Sequence, residues 1–271
     1  MQVFGKVIKN QRLHLKLTKA QAACDYCSVS ELTRIEDHNH GKQNVILALC
    51  HQLALPYDAV IPKRVLTDPV QLIRLIEALN ARHEFKSVLS LLESYLPLLP
   101  VQDTIQAGHL LYLKGYAELH ANENIHHVLL SYQRALNLVQ DDPLYELLVL
   151  KGIAYYYQQN NEWHRAKHYF DYALTMKNRA PNTKKLASLY YKSSQFYACI
   201  GEAQKAMKLC DEGIQLIQEH KLTEGLDLLY FEKALQQSTK EKMRVDLLEK
   251  ADQYARINRN FYLINLLKYW L

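Results

Sequence analysis

The chain has 271 residues, of which 49% are apolar, with only 8 Gly and 7 Pro. That composition excludes a disordered chain, supplies enough core for two domains and favours helix throughout. The net charge of +5 is compatible with nucleic acid without demanding it. No apolar run reaches the roughly 18 residues of a membrane span, so no membrane partner is expected. No signal peptide is visible, and the five Cys are scattered. A cytoplasmic chain with reduced thiols is the expectation.

The first helix is predicted over residues 3–15, with Phe4, Val7, Ile8 and Leu15 on one stripe. Two helix starts follow within twenty residues. Thr18-Lys19-Ala20-Gln21 and Ser28-Val29-Ser30-Glu31 both fit a capping box, in which a hydroxyl meets the N3 amide and Gln or Glu reaches back. Helices over about 18–25 and 28–37, joined by a turn of about three residues, form a helix-turn-helix. A polar loop from His38 to Asn44 leads to an apolar helix over Val45–Leu55, which Pro56 stops, and Tyr57–Ile61 adds a short turn. Residues 1–62 thus read as one compact bundle. They carry seven Lys/Arg against five Asp/Glu, so any anion-facing patch must be local.

Residues 63–68 read as a linker. Asp68 then caps a helix that starts on Pro69. From 69 to 271 a helix, a polar turn and a second helix recur five times, with turns at Asn80–Glu84, Asn122–Asn124, Asn160–Glu162, Gly201–Glu202 and Ser238–Glu241. Leu92, Tyr132, Phe170, Cys210 and Ala251 hold equivalent places, spaced by 40, 38, 40 and 41 residues. Such a period marks a right-handed α-solenoid. The unit resembles a slightly lengthened tetratricopeptide repeat. Its fourth copy fits best, through Ser194, Tyr197, Gly201, Ala206, Cys210 and Gly213; the second keeps Gly115, Tyr132 and Ala135, and the third Gly152, Tyr155, Ala166, Phe170 and Ala173. Small residues let helices approach, and aromatics fill the wedge between them. Phe261–Leu271 reads as a closing helix. The fold class is therefore all-α: a helix-turn-helix bundle followed by about five tetratricopeptide-like helix pairs.

Gly5, Ile8, Arg12, Leu17-Thr18 and Leu32-Thr33-Arg34-Ile35-Glu36 resemble the Cro/repressor-type helix-turn-helix family. The turn is one residue shorter than the commonest form. Joined to tetratricopeptide-like repeats, it is similar to the PlcR/Rgg-like (RRNPP-type) peptide-sensing transcriptional regulators. The sequence departs from the helix-turn-helix pattern in having Ala22 where Leu is usual, and Val29 where a polar base-reading residue is common. The third helix would enter the major groove of double-stranded DNA, with Val29, Ser30 and Thr33 at base edges and Ser28 near a phosphate. Arg34 would reach a phosphate or a base. Thr18 and Lys19 would hold a phosphate at the start of the second helix, and Asn39 and Lys42 the other strand. The resemblance implies that Arg12 and Glu36 form a structural ion pair. The resemblance further implies a homodimer on a two-fold operator, controlled by a short peptide.

The repeat register places Tyr112, Tyr116, Leu119, Val149, Ile153, Tyr156, Tyr191 and Gln195 on the inner face, with Asn80 at the matching place in the first repeat. From these, Asn80, Tyr112, Tyr116, Tyr156, Tyr191 and Gln195 are the candidate peptide-binding residues, because Tyr supplies apolar area and amides bond a peptide backbone. Lys151 or Lys192 would meet a peptide carboxylate if turned inward. Cys24 and Cys27 with His38 and His40 have zinc-like composition, but Cys27 falls on a buried position and Cys24 on an outward one, so no metal or other cofactor is assigned. His126-His127 and the pair His164 and His168 read as surface or groove residues. No catalytic residue is assigned, since no phosphate loop or nucleophile motif occurs. Two alternatives remain: repeats used only for dimerisation or a protein partner, and a repeat scaffold that has lost DNA binding.

Overall fold

The structure is a computed structural model that describes residues 1–99, 104–121, 125–179, 183–237 and 241–270. The described residues form seventeen α-helices and no strand beyond one isolated bridge between Gln2 and His40. The chain divides into two compact units, Met1–Leu138 and Val139–Leu271. No helix among the described residues is long and apolar enough to cross a membrane.

The first unit begins with α1 (Gly5–His14), α2 (Lys19–Ala23), α3 (Val29–His38), α4 (Gln43–Gln52) and α5 (Tyr57–Val60). Ile8, Leu32, Ile35, Ile46, Leu49 and Leu53 form its sealed core, each contributing about 1.5–3 kcal/mol by leaving water. The stripe expected on the first helix is narrower than predicted: Ile8 is buried, whereas Phe4 and Leu15 flank the helix and stay exposed. The segment read as a linker contains a helical turn, α6 (Lys63–Leu66), whose Leu66 is fully buried.

What sets α3 in place is the pair Arg12–Glu36. Arg12 Nε donates to Glu36 Oε1 at 2.6 Å and Nη2 to Oε2 at 2.9 Å, while Nη1 donates to the carbonyl of Leu17 at 3.0 Å. Both residues are buried. The hydrogen bond to Glu36 raises the Arg12 pKa against the opposing effect of burial. One bidentate fork thus joins α1, α3 and the chain entering α2. Close backbone approach adds to it: a Cβ on Gly5 would lie 2.1 Å from the carbonyl oxygen of Ile35, so only Gly fits there. Asn39 closes α3 in the left-handed region at φ 58. Its side-chain oxygen accepts from the Gly5 amide at 2.8 Å.

The first unit continues with α7 (Pro69–Ala81), α8 (Phe85–Tyr95), α9 (Thr104–His120) and α10 (Ile125–Leu138). Asp68 caps α7 by accepting from the Gln71 amide at 3.0 Å, with Pro69 in the first turn. Gly115 packs on Tyr132, whose ring would lie 2.8 Å from an added Cβ. The second unit holds α11 (Pro143–Gln159), α12 (Trp163–Thr175), α13 (Thr183–Cys199), α14 (Ala203–Glu219), α15 (Leu226–Leu235), α16 (Glu241–Ile257) and α17 (Phe261–Leu267). All five equivalent positions, Leu92, Tyr132, Phe170, Cys210 and Ala251, are buried. The turns share one geometry. His83, Asn161 and Gly201 each take positive φ, and the following Glu84, Glu162 and Glu202 amides donate back to Leu79, Tyr157 and Tyr197. The turns expected at Asn122–Asn124 and over 238–240 lie outside the described residues.

In the second unit Asp171 of α12 accepts from the Tyr197 hydroxyl of α13 and from Lys205 of α14 at 3.0 Å. At the end of the chain, buried Asp227 accepts from Asn258 and Asn260 at 3.0 and 2.7 Å, and Asn260 caps α17. Leu263 and Leu267 are thereby held in the core.

Two outcomes follow from these bonds. Glu36→Gln leaves Arg12 buried without its countercharge and should cost about 3–5 kcal/mol in thermal or urea unfolding, whereas Arg12→Met with Glu36→Leu should recover most of it. Burial pushes the Asp171 carboxyl up, but Tyr197 and Lys205 outweigh it and hold the pKa below its ordinary 3.8. A lowered folded pKa means stability that is present above the unfolded value and lost as pH falls through the folded one. Asp171→Asn should therefore lower Tm at neutral pH, and the gap to wild type should close as the pH is taken below about 4.

Candidate functional site

Each helix of the helix-turn-helix starts on a hydroxyl. Thr18 Oγ1 accepts from the Gln21 amide at 3.2 Å, and Gln21 Oε1 accepts from the Thr18 amide at 2.9 Å, a full capping box. Ser28 Oγ accepts from the Glu31 amide at 3.1 Å. The box expected there is only half made, because Glu31 turns to Arg34 at 3.8 Å instead of returning to Ser28. Serine suffices to satisfy the N3 amide.

The first turn of α3 is open. Ser28, Val29, Ser30 and Arg34 are exposed, while Leu32, Ile35 and Glu36 on the opposite side are buried. The Ser28 and Ser30 hydroxyls lie 2.8 Å apart. Lys19 Nζ donates to Thr33 Oγ1 at 2.9 Å, and Thr33 donates in turn to the Val29 carbonyl at 2.8 Å. Lys19 and Thr33 are thus half-buried and tied together across the two helices. Thr18 and Lys42 are exposed at the starts of α2 and α4. Asn39 is exposed, but its oxygen is spent on Gly5, leaving its amide nitrogen for a ligand. The structure therefore gathers Thr18, Lys19, Ser28, Val29, Ser30, Thr33 and Arg34 around the α2–α3 turn, with Asn39 and Lys42 at the far end of α3. Cys24 is exposed and Cys27 half-buried, and burial raises the Cys27 thiol.

The candidate peptide residues fall into both units. In the first, Asn80 ends α7 with 7% exposure, and neither side-chain amide atom has a hydrogen-bond partner. An amide left in that state costs about 1–3 kcal/mol. Tyr112 is buried, its ring centroid 6.1 Å from that of Tyr132, and burial raises its pKa. Tyr116 is half-buried, 4.2 Å from His120.

In the second unit Tyr156 is buried against Tyr157. Val149 and Ile153, expected on the inner face, are fully in the core because α11 is covered nearly all round. Tyr191 and Gln195 are half-buried, with Gln195 Nε2 donating to the Tyr191 hydroxyl at 2.8 Å. Beside them lies a cluster the sequence only glimpsed: Lys151, Lys192, Ser188 and Glu232. Lys151 and Lys192 were visible as cations at inner-face spacing. Ser188 and Glu232 gave no signal, since nothing in one sequence says that α11, α13 and α15 present them together.

No family model matches the sequence, and no curated protein matches it significantly. The fold does have solved counterparts. Bacillus thuringiensis PlcR in complex with the peptide PapR7 and DNA matches with a TM-score of 0.64 at 16% identity, covering 98% of this chain and 99% of that one. PlcR in its apo form matches with 0.64 at 15% identity over 97% and 98%. The apo form of ComR from S. thermophilus reaches 0.51 at 14% identity over 98% and 96%. At such identities the likeness is one of fold: this chain has the all-α architecture of PlcR, a helix-turn-helix with tetratricopeptide-like repeats, from end to end.

Proposed function

We propose that the chain is a cytoplasmic transcriptional regulator. Residues 1–62 bind double-stranded DNA, 63–68 link, and the repeats of 69–271 bind a short signalling peptide. The peptide changes how two copies of the chain present α3 to a two-fold operator. The observation that carries this reading is the open first turn of α3 on a helix whose other side is locked by Arg12–Glu36. A recognition helix needs that combination: free side chains on a fixed axis.

The roles follow from position. Val29 offers a methyl-bearing contact and Ser30 a hydroxyl to base edges; Thr33 does so once Lys19 swings to a phosphate. Ser28 and Thr18 stand at helix starts, where amides and dipole favour phosphate. Arg34 reaches backbone or base, and Asn39 and Lys42 the other strand. PlcR, crystallised with a peptide and DNA, has a fold this chain matches over nearly its whole length, which supports the pairing of these two ligands.

For the peptide, the orphan amide of Asn80 supports the reading, because a peptide backbone supplies both the donor and the acceptor it lacks. In the first unit Tyr116 is half-open to a ligand and Tyr112 is buried; in the second Tyr191 and Gln195 are half-open and Tyr156 is buried. A second reading keeps DNA binding and leaves the repeats to self-association. Phe261 and Tyr262, exposed at 69% and 80% on α17, favour it.

The test starts from operators selected out of random duplex DNA by the full chain. Ser30→Ala with Arg34→Ala should weaken binding at least tenfold, at about 1–3 kcal/mol per base contact. The salt slope should fall by about one if Arg34 meets a phosphate. The thermal melt should not change, since both side chains are exposed. Unaltered operator affinity would falsify the assignment of α3.

A further inference from the structure

The strongest chemistry outside the helix-turn-helix lies on α11 and α13, which pack side by side in the second unit. Lys151 and Tyr155 are one turn apart on α11. Lys185, Ser188, Lys192 and Gln195 recur at helical spacing on α13. Lys151 Nζ donates to Ser188 Oγ at 2.8 Å. Lys192 Nζ lies 4.2 Å from the Tyr155 ring centroid, 5.6 Å from that of Tyr191 and 3.4 Å from Gln195 Oε1. Cation–π contact steadies an ammonium but does not neutralise it.

Lys151 has no countercharge of its own among the described residues. The charged groups that bear on Lys151 are Lys185 and Lys192, both cations, and no carboxylate is paired with Lys151. Glu232 of α15 acts on Lys192 instead, and is itself held by Gln236 and Gln195. Lys151, Tyr155, Ser188 and Lys192 are half-buried rather than sealed, so a ligand atom can reach them.

We propose that Lys151, Ser188 and Lys192 form a carboxylate-binding subsite for the peptide ligand, with one carboxylate oxygen between the two ammoniums and the Ser188 hydroxyl donating to it. The proposal rests on the peptide-binding reading above. Ser188 accepts from Lys151, so its own proton is available to a ligand. A carboxylate supplies the missing countercharge and replaces water around two poorly solvated amines. Its source is either the peptide C-terminus or an Asp or Glu side chain.

Protonation supports the geometry. Burial first, then Lys185 and Lys192, push Lys151 down to about 7. The amine is charged below that value and neutral above it, and a carboxylate favours the charged form. Affinity should therefore be full below pH 7 and fall about tenfold per pH unit above it, until the pKa of the bound state is passed.

Two measurements on the full chain test this. The first follows the lysine amines by NMR after 13C reductive methylation, with the Lys151 signal identified by its loss in Lys151→Met. Its titration midpoint should lie near 7 and rise by about one unit or more in excess acetate, with no change in excess acetamide. A midpoint at the ordinary lysine value, or one that acetate leaves unmoved, overturns the subsite. The second exposes the chain to random heptapeptides made as free acids and as C-terminal amides, and compares what is retained.

Wild type should enrich the free acids several-fold, and Lys151→Met and Lys192→Met should abolish the preference while still retaining peptide. Enrichment of Asp and Glu within the amide set would support a side-chain carboxylate as the source. Peptides retained with preference neither for a free C-terminus nor for Asp and Glu overturn the subsite and leave the peptide reading standing. Acetate moving Lys151 with no peptide retained at all overturns the peptide reading, and the assignment of this anion site to a peptide with it.

Discussion

The buried fork between Arg12 and Glu36 fixes the part of the molecule on which the proposed function turns. It is costly by itself, because two charges leave water, and it holds only because the fork is bidentate and the remaining guanidinium nitrogen finds the Leu17 carbonyl. In return it ties three segments to one point. Gly5 against the backbone of Ile35 and Asn39 over the Gly5 amide complete the joint. With the buried side of α3 held in this way, its first turn is free to be exposed without the helix losing its place.

The repeats solve a different problem by a different means. Two helices of a pair cannot bury their apolar faces alone, and the three described turns at His83, Asn161 and Gly201 repeat one joint: a left-handed residue at the turn, then a buried side chain in the second helix. Small residues such as Gly115, Ser194 and Ala206 make the approach possible. Polar bonds such as Asp171 with Tyr197 and Lys205 then cross from helix to helix and fix register. At the end of the chain Asp227 with Asn258 and Asn260 does the same for α17.

Much of this was legible in the sequence. Capping residues act within one turn, so Thr18, Ser28 and Asp68 announce the starts of α2, α3 and α7 directly. Periodicity near 40 residues exposed the helix pairs because each pair buries the same face. The pair Arg12–Glu36 was readable only through resemblance. Other features were not legible. Glu31 turns towards Arg34 instead of completing its capping box. Lys19 is drawn to Thr33, and Asn39 to Gly5, by neighbours distant in sequence.

By itself, then, the sequence determined what depends on short range and on regular spacing: helices, caps, turns, the repeat and the class of fold. Tertiary structure alone decided which inner-face residues stay open and which are sealed. Val149, Ile153, Tyr112 and Tyr156 have the spacing of surface residues yet are buried, because more than one neighbouring helix covers them. It also decided that the charged groups bearing on Lys151 are two other lysines, with no carboxylate partner among the described residues. Burial and charge are sums over all elements packed around a residue, and no local pattern records that sum.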